Sequence, residues 1–247
     1  EEVSDETYLG LTDADFGRDE DRRYGLSLID EMDNDHQGYS LTYRLDLSES
    51  VALTAIGYHN EFSRDWFKLD GGGSLIDDAN AGDAFAQSVL DGTRDYQDLQ
   101  YKHNNRDYES SGIDLNLDIA LGAHQLALGA RVHEDEMDRF QPVEYYDQIG
   151  GQLVFSHEKA PSGSNNRLEK ADALSLWAVD SWAVSDALNV NLALRYEDVE
   201  SSRRQYADPG RTELESTRSN ESDEWLAGAS FTYDMGDHWQ LLAGVHQ

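Results

Sequence analysis

The feature that most constrains this chain is a strict alternation of apolar and polar residues. In "LNVNLALRYEDV", residues 188–199, Leu188, Val190, Leu192, Leu194 and Tyr196 share one parity, and Asn189, Asn191, Ala193, Arg195 and Glu197 share the other. A period of two describes an extended strand with one apolar face and one wet face. The same pattern recurs in "YSLTYRLDL" (39–47), "GIDLNLDIALGAHQLALGARV" (112–132) and "EWLAGASFTY" (224–233). Each alternating run meets a second one across a short polar turn. The turns are Ser48-Glu49-Ser50, Gly122-Ala123-His124, Ser185-Asp186-Ala187 and the stretch from Asp234 to His238. The spacing therefore predicts four hairpins, with strands over roughly 34–47, 51–68, 105–121, 125–139, 171–184, 188–201, 222–233 and 238–247.

The connections between hairpins are long: residues 69–104, 140–170 and 202–221. The stretch "DGGGSLIDDANAGDAF", residues 70–85, reads as loop throughout. Structureless connections of this length are uncommon inside compact soluble domains. Alternating short and long connections place every tight turn at one end of the sheet. That is the plan of a transmembrane β-barrel with short periplasmic turns and long outer loops. The expected fold is all-β: an antiparallel barrel segment of about eight strands, its apolar face on lipid and its polar face lining a wet interior. Trp182, Trp225 and Trp239 then fall where an interfacial aromatic girdle belongs. A soluble β-sandwich also alternates, and Asp180 shares the parity of Trp182, which sets a carboxylate on the lipid face. The first complete strand runs toward a short turn and the last runs away from one. Both ends thus lie on the long-loop side, and residues 1–247 are expected to be an internal part of a larger barrel.

With 50 acidic and 19 basic residues the formal charge is −31. This excludes a nucleic-acid partner, which requires clustered Lys and Arg. Aromatic residues make up 10%, too many for a disordered acidic chain. There is no cysteine, and no apolar run approaches the ~20 residues of a membrane helix.

"ETYLGLTDADF" (6–16), followed by "RRY" (22–24), resembles TonB-dependent outer-membrane receptors, in particular the group similar to ferric dicitrate receptors. "FSRDWFKLD" (62–70), the hairpin "LSLWAVDSWAVSDALNVNLALRYEDV" (174–199) and "LLAGVHQ" (241–247) carry the same resemblance. It implies a barrel of roughly 22 strands around an N-terminal plug, with the plug and remaining strands outside residues 1–247. It further implies a Gram-negative outer membrane, contact with its lipid, and uptake of a ferric chelate energised by TonB–ExbB–ExbD. A passive porin-type channel and a soluble acidic β-sandwich adhesin or binding protein are the competing readings.

No nucleophile elbow, P-loop or dinucleotide fingerprint is present, so the chain reads as a non-enzyme without cofactor. "DNDHQGYSLTYR", Asp33 to Arg44, matches a calcium loop at its first, third and sixth positions but ends on Arg44 where a bidentate Glu is needed. No metal site is expected. An anionic ferric chelate bound by so acidic a chain would be held by its few arginines: Arg22, Arg23, Arg64, Arg106, Arg203 and Arg204 are the candidates. Each could equally balance neighbouring acids. Tyr145, Tyr146 and Trp66 could wall the same pocket or serve loop packing.

Overall fold

The computed structural model describes residues 1–236 and 238–247. Asp237, part of the fourth expected turn, lies outside the described residues. Four hairpins form the wall of the molecule. They are β2 (Glu31–Ser48) with β3 (Val51–Leu69), β5 (Arg106–Leu121) with β6 (His124–Phe140), β9 (Gly163–Ser185) with β10 (Leu188–Tyr206), and β11 (Leu214–Asp234) with β12 (Gln240–His246). A short β1 (Glu2–Ser4) pairs with β2. The wall is antiparallel in the order β12-β11-β10-β9-β6-β5-β3-β2.

Register explains what the alternation is for. Residues directly opposed across strands project to one side. Leu45, Leu53, Leu117, Leu128, Ala178, Leu194 and Ala227 form one such row across seven strands. Among the described residues no second layer covers this face: Leu41 is 75% exposed and Leu192 46%. Apolar rows run from Leu188–Tyr233 beside the turns up to Leu41–Gly57–Ile113–Val132–Leu174, about ten residues or ~33 Å of strand. Tilted as barrel strands are, that length spans a ~25 Å lipid band. Aromatics mark both edges: Trp182 and Tyr233 near the turns, Tyr43, Tyr196 and Trp225 at the top. Tyr196 and Trp225 lie 5.0 Å apart.

Asp180 does sit on this face, in the row of Leu126 and Leu192. His124 Nδ1 lies 2.8 Å from its Oδ2, and the imidazole stacks on Trp182 at 5.2 Å. The carboxylate thus has a hydrogen-bond partner within the lower girdle. On the opposite face, Gly129 has no Cβ because the Trp177 indole occupies its place; an added methyl would lie 1.9 Å from the ring.

The outer connections differ from the loops the sequence suggests. Residues 70–85 are not loop throughout: α2 (Gly72–Asn80) and α3 (Ala84–Leu90) lie there, α3 being capped by Asp83, whose carboxylate accepts from the amides of Phe85 and Ala86. Residues 140–170 hold β7 (Val143–Ile149), β8 (Gln152–Lys159) and the first residues of β9; residues 69–104 also contain β4 (Tyr96–His103). Between β10 and β11 only residues 207–213 lie outside the strands, because both strands continue far above the lipid band. Their two polar faces there erase the alternation.

β3 forks at its outer end. Its lower length pairs with β5 as far as Arg64–Arg106, then Phe67–Leu69 pair with β4, which continues to β7 and β8. This branch of the sheet, α2, α3 and the N-terminal segment with α1 (Asp13–Phe16) enclose a cap. Its core is Tyr24, Leu26, Leu69, Val89, Leu90, Leu99 and Tyr101. Tyr101 Oη donates to Leu26 O at 2.5 Å, and Gln148 Nε2 to Val89 O and Arg94 O at 2.9 Å.

Candidate functional site

The wall sorts charge by face. Above the lipid band the outer face is acidic: Glu134, Asp172, Glu200 and Glu221 form one row, and Glu61, Glu109 and Glu136 the next, ending on Lys170. The inner face at that height is basic. Arg64, Arg106, Arg139 and Arg167 oppose one another in direct register across β3, β5, β6 and β9, and Gln205 of β10 completes the row. At strand spacing this ladder is ~15 Å long. One rung lower on the same face run Phe62, Tyr108, Met137, Glu169, Arg203 and Arg218. They line a concavity of 870 Å³. Phe62 and Tyr108 stack at 6.0 Å, and Arg106 donates to Tyr108 Oη at 3.1 Å.

The arginines are only partly satisfied. Nε of Arg64, Arg106 and Arg203 is buried with no acceptor among the described residues. Arg167 Nε approaches Glu169 at 3.0 Å without hydrogen-bond alignment. Arg139 Nε donates to Gln141 at 2.7 Å. Burial, then repulsion from Arg167 and Arg106, holds the Arg139 guanidinium below its usual pKa. Lys68 and Lys102, opposed across β3 and β4 just above, are likewise pushed down, chiefly by burial. Stacked cations with unspent donors are costly to the fold and complementary to a ligand with several anionic oxygens.

The six candidate arginines divide three ways. Arg64, Arg106 and Arg203 meet on the inner face. Arg204, next along the strand, points to the outer face. Arg22 and Arg23 lie in the cap: Arg22 bridges Asp15 at 2.7 Å and Asp91 at 2.5 Å, and Arg23 donates to Asp5 O at 2.8 Å and to Ser27 O. Arg139, Arg167 and Arg218 complete the basic face and were not singled out by sequence. Trp66 packs edge-on against Tyr8 at 5.5 Å with the Lys68 ammonium over both rings. Tyr146 packs on the cap core and Tyr145 stacks on His157 at 4.4 Å. Asp33 to Arg44 is straight strand within β2. Among the described residues no group of three or more His, Asp or Glu side chains is placed to hold a metal ion.

An uncovered apolar band with aromatic edges, tight turns at one end and a charged mouth at the other define a segment of an outer-membrane β-barrel. The description "TonB dependent receptor-like, beta-barrel" matches residues 3–247, and the chain belongs to that family, whose members are outer-membrane proteins of Gram-negative bacteria. No curated protein matches it by sequence. Among solved structures it is similar to the unliganded ferric citrate transporter FecA (TM-score 0.61, 14% identity, 96% of this chain and 30% of that one). It is also similar to the siderophore receptor PiuA from Acinetobacter baumannii (0.65, 13%, 90% and 33%) and to the ferric-catecholate import receptor Fiu from E. coli K12 (0.57, 10%, 88% and 36%). These likenesses establish the fold. The chain spans about a third of the length of each.

Proposed function

We propose that residues 1–247 form part of the wall and outer mouth of a receptor that captures an anionic ferric chelate and passes it inward with energy from TonB–ExbB–ExbD. In the complete receptor the plug and the remaining strands lie outside this segment. The observation that carries this reading is the inner-face row Arg64–Arg106–Arg139–Arg167, whose guanidinium donors exceed their protein acceptors. Its setting supports selectivity by charge. The outer face repels anions, so an anionic ligand finds attraction only at the mouth. The aromatic rung beneath offers flat apolar contact to the body of a chelate. The protein's role is recognition and passage, with no covalent step.

The test is equilibrium binding to the complete receptor. Ferric citrate, as an anionic probe, is expected to bind with an affinity that falls as salt rises. An uncharged ferric trihydroxamate of similar size is expected to bind at least tenfold more weakly. Equal binding of the two would overturn the reading.

A further inference from the structure

Behind the arginine row lies a buried amide. Gln141 is fully buried, and its carboxamide is engaged at both ends. Oε1 accepts from Arg139 Nε at 2.7 Å, and Nε2 donates to Asn104 Oδ1 at 2.5 Å. The reverse orientation would set an NH2 group against a guanidinium N–H, so chemistry fixes which end faces which. Of the four arginines in the row, Arg139 alone has its Nε aligned on an acceptor among the described residues. The setting of the amide is equally specific. Gln141 follows β6, where one outer insertion leaves the wall, and Asn104 lies just before β5, where the other returns. Backbone bonds pin both roots: Gln141 N donates to Asn165 O at 2.9 Å, Asn104 N to Trp66 O at 3.0 Å, and His103 N to Pro142 O at 3.1 Å. The amide therefore sits where the branch carrying β4 and β7 parts from β5 and β6.

We propose that Gln141 is a positioning residue for anion capture: it aims Arg139 at the ligand and, through Asn104, ties that aim to the roots of both outer insertions. The assignment rests on the arginine row being the chelate site. Arg139 stands in direct register between Arg106 and Arg167, and repulsion from both would swing an unheld guanidinium aside. A carboxylate in place of the amide would hold it more firmly but cancel its charge. The neutral amide oxygen fixes one N–H and leaves the positive charge and the terminal nitrogens to a ligand with anionic oxygens. The bond from Nε2 to Asn104 polarises the amide and strengthens its oxygen as an acceptor. A side chain ordered before binding loses no freedom when the ligand arrives.

The experiment measures ferric citrate binding to the complete receptor over a salt series, with heat-modifiable migration reporting the folded barrel. Gln141→Met keeps the volume and removes both amide bonds. It is expected to bind about tenfold more weakly with the salt dependence unchanged, because no charge has been altered. Gln141→Glu keeps the acceptor and cancels the Arg139 charge, so binding is expected to weaken with a shallower salt dependence. In an Arg139→Gln background, Gln141→Met is expected to change affinity by less than about twofold, since the partner through which it acts is gone. Asn104→Ala removes the distal bond alone and is expected to weaken binding about threefold, again only while Arg139 is present; it carries the test where Gln141→Met does not fold. Unchanged affinity in these variants, or an equal loss with and without Arg139, would overturn the assignment. The preference of the wild type for ferric citrate over the uncharged ferric trihydroxamate is measured alongside. If that preference holds and the Gln141 and Asn104 variants bind as the wild type does, the chelate reading stands and the positioning role fails. If the preference is absent, both fail.

Discussion

Arg106 on β5 and Arg139 on β6 are directly opposed cross-strand partners, each with a further arginine on its other side. Like charges so placed destabilise a sheet, so the row is held against its own repulsion. Arg106→Gln relieves part of that repulsion and gives up one bond to Tyr108. The expected result is a melting temperature equal to or above wild type, with ferric citrate affinity weakened by about 1.5–3 kcal/mol, the size of a charge-assisted hydrogen bond. Calorimetric melts and titrations on the complete receptor measure both. A loss of stability with unchanged affinity would mean that the row is structural.

His124 and Asp180 give a second expectation. His124→Ala takes away the hydrogen-bond partner of Asp180 on the lipid face, at a cost of up to ~1 kcal/mol near the interface. Asp180→Asn in the same background should restore most of the loss. Unfolding of the complete receptor in lipid vesicles, read by tryptophan fluorescence, compares the single and double variants. Equal stability of His124→Ala and wild type would show that the pair does not matter.

The cap supplies a pH dependence. His103 on β4 lies 2.5 Å from Asp65 and 3.3 Å from Glu144, at the fork of β3. Burial pulls its pKa down; the bonds and charges of Asp65 and Glu144 outweigh it, leaving the imidazole raised above its usual 6.5. Protonation is therefore favoured in the folded state. The stabilisation is complete below about pH 6.5 and fades as pH climbs through the raised value. On the order of 1 kcal/mol is at stake locally. Amide exchange in β4 should speed up from pH 6 to pH 9, after correction for intrinsic rates, and His103→Gln should flatten that response.

Leu90 is 1% exposed within the cap core. Leu90→Ala should cost about 2–5 kcal/mol, all of it on the cap, because among the described residues no wall residue leans on that cluster except the outer end of β3. Limited proteolysis should then cut within residues 70–95 while the wall still migrates as a folded barrel. Loss of both together would show one cooperative unit.

The wall was legible because burial is one-sided there: Leu188 to Tyr196 show lipid contact in every second letter. The cap was not. Leu75, Ile76 and Ala79 carry helical spacing, yet they sit among Gly71, Gly72, Gly73 and several aspartates that read as loop. The arginine row was half legible. Arg64 and Arg106 stand out in sequence, but their alignment with Arg139 and Arg167 is a property of register. Arg106 and Arg139 lie at equal distances from the Gly122-Ala123 turn, so counting outward along each hairpin would have paired them. Nothing of that kind announces the cap, whose contacts join segments far apart in the chain.

Both large outer insertions leave the wall and return to it at nearly the same height: one between Arg64 and Arg106, the other between Phe140 and Asn166. The rungs below are closed before either insertion begins. Lengthening or exchanging such an excursion adds only a slowly growing closure entropy and shifts no strand. The wall is therefore indifferent to what is grafted on its outer edge, and whole excursions can be exchanged while the lipid-facing staves keep their alignment.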